Sequence, residues 1–269
     1  MKYLLLLVLF ICFSCTEPNV KDMLGDDFRL YKHTPAWSLA KAVEDEDTTE
    51  ISKQVLQMHI PVDYRDPKYK QTLLMLATRT NKIESVEKLL ELGANPNAHD
   101  DSTKYFGQSA VLLACRFTRP SSKILALLLK YGGDPNSTAC GVQEDGLGEI
   151  VPMREFALSA AVFSSFEKVK LLVDAGANIN YATSTENCAI ENCMIHDRMD
   201  IMLYLLQKGA DYRRKFTEID LDKPDYSTFE VDILYKLRKC VYPIGSKEYT
   251  DKMTVVNFCK LSAIVCPFL

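Results

Sequence analysis

A glycine closes the same apolar pattern four times in this chain. Leu89-Leu90-Glu91-Leu92-Gly93-Ala94-Asn95-Pro96-Asn97 returns as Leu128-Leu129-Lys130-Tyr131-Gly132-Gly133-Asp134-Pro135-Asn136. It returns again as Leu172-Val173-Asp174-Ala175-Gly176-Ala177-Asn178-Ile179-Asn180 and as Leu205-Leu206-Gln207-Lys208-Gly209-Ala210-Asp211-Tyr212-Arg213. Each copy reads as the end of a helix, a glycine that stops it in the left-handed region, and an Asn/Asp turn that bonds its own backbone. Successive glycines lie 39, 44 and 33 residues apart, so the shortest gap is the unit and the longer two carry insertions. One helical pair of this size cannot bury both its faces, and the copies must stack.

The helical faces are explicit. Ile83, Val86, Leu89 and Leu90 fall at helical spacing, as do Ile124, Leu127, Leu128 and Leu129. Ala77, Ala160 and Cys193 each stand 16 residues before a repeat glycine, with Ala114 in the corresponding place of the second copy. These small residues sit where a first helix presses on its neighbour.

Together the small residues, the Val/Leu-Leu pairs and the Gly-Ala-Asp-x-Asn turns resemble the ankyrin repeat. The second helix and turn match well. No copy holds the family's Thr-Pro-Leu-His tetrapeptide in full, although Thr34-Pro35-Ala36-Trp37 precedes a more divergent unit. The resemblance covers roughly residues 30–215. It implies an all-α solenoid of helical hairpins over residues 28–215, with divergent N- and C-terminal caps and repeats at 28–66, 67–100, 101–136, 150–180 and 183–213. His59 stands where the first unit would have its glycine. The 136–155 insert, with three glycines and polar content, reads as an exposed loop. Residues 216–269 read as a helical cap, with helices over Phe229–Lys239 and Tyr249–Leu261.

The N-terminus is of another kind. Lys2 precedes the apolar run Tyr3–Phe13, which as a helix covers only about 16 Å of the ~30 Å hydrocarbon thickness. A secretory signal fits better. Cys12-Phe13-Ser14-Cys15 resembles a bacterial lipobox, which implies lipidation at Cys15 as the first mature residue, with plain secretion as the alternative. Residues 16–27 then read as a polar spacer between a membrane surface and the repeats. The expected location is the cell envelope, lipid-anchored or periplasmic.

Chemistry is sparse. The 269 residues carry a net charge of −4 with no basic block, which argues against a nucleic-acid partner. Cys193 sits at the small-residue position and Cys115 beside it, both as buried hydrophobes. Cys188 and Cys193 lack the spacing of a zinc site. His33, His59, His99 and His196 are scattered along the chain, and no catalytic motif appears. No cofactor and no metal are expected.

Partner binding is the expected role, by a monomer. In an ankyrin-type stack it falls on the hairpin tips and on the first-helix residues after the buried small position. Those helix residues are Arg79, Arg116, Phe117, Val162, Phe163, Ile195 and His196. Tyr105, Phe106, Tyr181 and Tyr212 are the tip aromatics. The expected partner is a protein, bound as inhibitor, immunity factor or regulator. An envelope scaffold without one tight partner is the alternative, and a hydrolase using Glu144 or Asp145 of the insert a third.

Overall fold

The computed structural model describes residues 20–144, 148–153, 155–183, 188–219 and 227–265, with side chains to Leu261. The signal-like segment and Cys15 lie outside these residues, as does Asp145. Among the described residues five helical pairs follow one another: α1 (Trp37–Glu44) with α2 (Thr48–Leu56), α3 (Leu73–Thr80) with α4 (Ile83–Glu91), α5 (Ala110–Arg116) with α6 (Ser122–Lys130), α7 (Ala157–Ser164) with α8 (Phe166–Asp174), and α9 (Ala189–Ile195) with α10 (Met199–Gln207).

The first helices stack α1 on α3 on α5 on α7 on α9, and α2, α4, α6 and α8 form a second layer. The core lies between the layers. Leu73, Leu74, Leu76, Val111, Leu112 and Leu113 from the first layer meet Val86, Leu89, Ile124 and Leu128 from the second, all fully buried. Side-chain caps set several starts: the Thr72 hydroxyl accepts from Met75 N (3.4 Å) and Ser109 Oγ from Leu112 N (3.1 Å). The pairs end as the glycine pattern predicts, with Gly93 at φ 89° and Gly209 at φ 98°. His59 takes the same left-handed conformation (φ 56°) without being glycine, a strain that the surrounding structure has to offset.

Two sets of polar bonds fix one repeat on the next. The first runs along the turns. Asp63 accepts from Asn95 N (3.1 Å), Asn97 from Asp134 N (2.7 Å), Asn136 from Asn178 N (2.7 Å) and Asn180 from Asp211 N (2.8 Å). The amides of Asn97 and Asn180 also donate to the carbonyls of Gly132 (2.9 Å) and Gly209 (3.3 Å). Arg213 holds this position in the last repeat, and a guanidinium has no acceptor, so the ladder stops there.

The second set reaches carbonyls at the C-termini of first helices. Ser85 Oγ donates to Val43 O (2.7 Å), Ser164 Oγ to Cys115 O (2.7 Å), Lys168 Nζ to Phe117 O (2.7 Å) and Arg198 Nη1 to Val162 O (3.1 Å). The two cations also face the negative ends of α5 and α7, where positive charge is favoured.

Three readings change in the structure. The insert forms a hairpin, β1 (Val142–Glu144) antiparallel to β2 (Ile150–Pro152), in the register Gln143↔Val151. It continues from backbone bonds to the preceding turn, with Gly141 N donating to Phe106 O (2.9 Å) and Val142 N to Tyr105 O (3.0 Å). A Cβ at Gly141 would lie 2.0 Å from the Tyr105 carbonyl, so that glycine serves close backbone approach rather than looseness. Residues 20–27 are also no spacer. Met23 is buried, its carbonyl accepts from Lys68 Nζ (2.8 Å) and Tyr69 OH (3.0 Å), and Gly25 O accepts from Gln71 Nε2 (2.9 Å).

The cap is mixed rather than wholly helical. Phe229 lies in β4 (Thr228–Val231), which pairs with β3 (Phe216–Ile219). Helix α11 (Ile233–Lys239) begins only where Asp232 accepts from Tyr235 N (2.7 Å). Helix α12 (Lys247–Val265) closes the stack against α10, burying Val255 and Cys259. With two small sheets, all-α is an approximation. No described helix is long and apolar enough to cross a membrane.

Replacing Asn97 by Ala removes both of its bonds to the next repeat and is expected to cost about 1 kcal/mol in urea unfolding. Asn97→Asp keeps the acceptor and is expected to cost less.

Candidate functional site

Because the first helices stack in register, the residues at their C-terminal ends form a row. Arg116 ends α5 and Phe117 follows it. Phe163 lies in the last turn of α7, and Ile195 ends α9 with His196 next. Arg116, Phe117, Phe163 and His196 converge on one depression of about 500 Å³, walled also by Glu155 and by Gln143 and Met153 of the β1–β2 hairpin region. Phe163 and Ile195 are each 62% exposed, which a solvated surface does not require. The Phe163 and His196 rings meet edge-on with centroids 3.9 Å apart.

A second depression of about 430 Å³ adjoins it, bounded by Leu24, Gly25, Asp26, Arg79, Phe117 and Arg119. Phe117 lines both, so they form one trough along the row. The Arg79 guanidinium stands 5.4 Å from the Phe117 ring centre, while that of Arg116 lies 5.7 Å from it and 5.1 Å from Phe106.

Val162 does not belong to this surface. It is fully buried, because α7 is covered by α5, α8 and α9 and only the side carrying Phe163 stays open. The tip aromatics also divide. Phe106, 40% exposed, joins the trough through Arg116. Tyr105 packs on Tyr69 (4.7 Å) and Tyr181 on Phe156 (4.9 Å), so each spends a ring contact on holding neighbouring loops together. Tyr212 stands apart from the row, in a cleft with Asp232, Ile233 and Cys259 of the cap.

Sequence reasoning missed Gln143, Met153, Glu155, Leu24, Asp26 and Arg119. The hairpin had a signal in Val142 and Ile150-Val151 flanking a glycine-containing loop. Nothing in the pattern placed residues 24–26 beside Arg79.

Burial pushes the Glu155 carboxyl up, against the pull of Arg116 (3.5 Å) and of the Gln108 amide (3.4 Å). The Ser159 hydroxyl donates to the Phe156 carbonyl (3.2 Å) rather than to His196. Burial drives the Cys115 thiol up to about 12, which leaves it unreactive. The trough therefore offers ring faces and guanidinium edges instead of a nucleophile with its base.

Residues 39–139 match the family described as ankyrin repeats, in three copies. Those residues carry ankyrin repeats. It is also similar to the crystal structure of an ankyrin repeat domain from Acinetobacter baumannii AYE, with 25% identity and a TM-score of 0.58 over 82% of this chain and 97% of that one. No curated protein matches it. The matched residues end just after α6, while the stack of helical pairs continues through α10 with the same turn ladder. Ankyrin stacks are generally non-catalytic protein-interaction scaffolds, and this trough lies on the first-helix row of one.

The raised Glu155 carboxyl gives a signed pH dependence. Below its ordinary value of 4.5 both folded and unfolded chains hold the proton and no penalty exists. As pH rises the unfolded chain ionises first, so the penalty on the fold grows until the folded value is passed. Glu155→Gln is expected to be more stable than the parent at pH 7, with the advantage fading below pH 4.5 in denaturant titrations.

Proposed function

We propose that the trough running from Arg79 to His196 is the surface on which a single protein partner docks, and that the protein acts by occupying that partner, as an inhibitor or regulator. The observation that carries this is exposed Phe163, which shares a depression with half-buried Phe117 and Arg116, with Ile195 exposed at the end of the next first helix. Apolar surface rimmed by charge marks interfaces. Neither Phe163 nor Ile195 packs against the core.

The double variant Phe163→Ala with Ile195→Ala is expected to unfold within about 0.5 kcal/mol of the parent. It is also expected to lose the companion that co-purifies stoichiometrically with the full chain. Retention of that companion by a folded double variant would move the interface elsewhere.

The same proposal places the stack at a bacterial envelope, tethered through a lipidated Cys15. Support comes from Lys2, the apolar run Tyr3–Phe13 and the Cys12-Phe13-Ser14-Cys15 sequence. Dual acylation suffices for stable anchoring where one chain is marginal. Cys15→Ser is expected to shift the protein from the membrane to the soluble fraction, and mass spectrometry of the parent's mature N-terminus is expected to find a diacylated cysteine. A mature chain beginning elsewhere without lipid would refute the anchor.

A further inference from the structure

Arg79 is held in a way that the chain's own contacts do not explain. Its guanidinium lies beside Gly25, where an added Cβ would stand 3.8 Å from Cζ, and 5.4 Å from the centre of the Phe117 ring. Its Nε is sealed from solvent and meets no hydrogen-bond acceptor among the described residues. Asp100 and Asp26 attract it through space, yet neither forms an ion pair with it among the described residues, and burial pulls its acidity in the opposite direction. A guanidinium nitrogen withdrawn from water without an acceptor is costly. A ligand seated in the depression that Arg79 lines brings acceptors to its charge.

Two further arginines share the place. Arg116 lies on the same Phe117 ring and reaches only a 3.5 Å ion pair with Glu155, and Arg119 is exposed at the lip of the depression that Arg79 lines. A guanidinium stacked on an aromatic face keeps its in-plane N–H edge free, and that edge matches a carboxylate bidentately.

We propose that the depression between Leu24 and Arg119 receives an aspartate or glutamate side chain of the docking partner, paired with Arg79 and Arg119, while an adjoining apolar side chain lies on Phe117 and Phe163. This rests on the protein-binding reading above and names the chemistry of its partner: an acidic segment with an apolar neighbour. The surroundings favour a carboxylate over a phosphate chain. Leu24 is 70% exposed beside the site, and Asp26 and Glu155 already offset part of the arginine charge. The chain as a whole is negative.

The test is selection of random short peptides displayed on phage against the full chain, followed by titration of the enriched peptides by fluorescence anisotropy. Enriched peptides are expected to carry Asp or Glu beside an aromatic or aliphatic residue. Changing that acid to its amide is expected to weaken binding by about tenfold or more. Arg79→Met and Arg119→Gln are each expected to do the same, whereas Lys130→Gln on α6 changes nothing. Arg119 is exposed, so its variant stays folded even if Arg79→Met does not.

Enrichment of neutral peptides, an acid-to-amide change without effect, or no enrichment at all overturns the carboxylate site. So does displacement of the acidic peptide by an equal concentration of tripolyphosphate, which would make it a phosphate site. Peptides that lose binding to Phe163→Ala with Ile195→Ala but not to the arginine variants would refute this inference and leave the protein-binding reading standing.

Discussion

Asparagine side chains reaching from one turn to the next hold this molecule in register, and most of its other features depend on that reach. Each two-helix unit has two apolar faces and no means of covering both alone. Hydrophobic burial drives neighbours together but is non-directional, so it does not decide how far one pair slides along another. The ladder of Asp63, Asn97, Asn136 and Asn180 decides it, because each acceptor meets one backbone N–H of the next turn. The bonds from Ser85, Ser164, Lys168 and Arg198 to helix-end carbonyls fix the same spacing at the opposite end of the first helices.

Register is what turns separate side chains into a surface. Phe117, Phe163 and His196 come from different repeats and share one trough only because their helices end level with one another. The same geometry explains why a first helix in mid-stack has a single open side, and why Val162 is lost to the core one residue before Phe163. The insertion then adds what the regular stack lacks. Its hairpin rises beside the row and brings Gln143 and Met153 against it, closing a flat face into a concavity.

The ends of the stack differ from its middle for a physical reason. A terminal repeat has one face without a neighbour, and here both faces are covered by chain that is not repeat-like. Residues 20–31 lie over α1 and the loop before α3, and α12 covers α10. At the C-terminal end Lys236 bridges Glu191 (2.6 Å) and Glu218 (3.1 Å), tying the cap to the last repeat through a half-buried ion-pair network. The N-terminal cover also supplies Leu24, Gly25 and Asp26 to the trough, so capping and site building draw on the same residues.

The repeat period, the helical pairs, their glycine stops and the row of first-helix end residues were legible in the sequence, because each is a local consequence of spacing and of one residue's conformational preference. Arg116, Phe117, Phe163, Ile195 and His196 were found by counting from a buried small residue, and four of them line one trough. What counting does not reveal is which side of a helix remains open, which is why Val162 was misplaced. It also does not reveal which distant segment lies against a given side chain. The packing of residues 20–27 on Arg79, the hairpin wall and the start of α11 at Asp232 depend on contacts between residues far apart in the chain or on competition between strand pairing and helix capping. Those free energies exist only once the stack has formed, so the tertiary structure alone decides them.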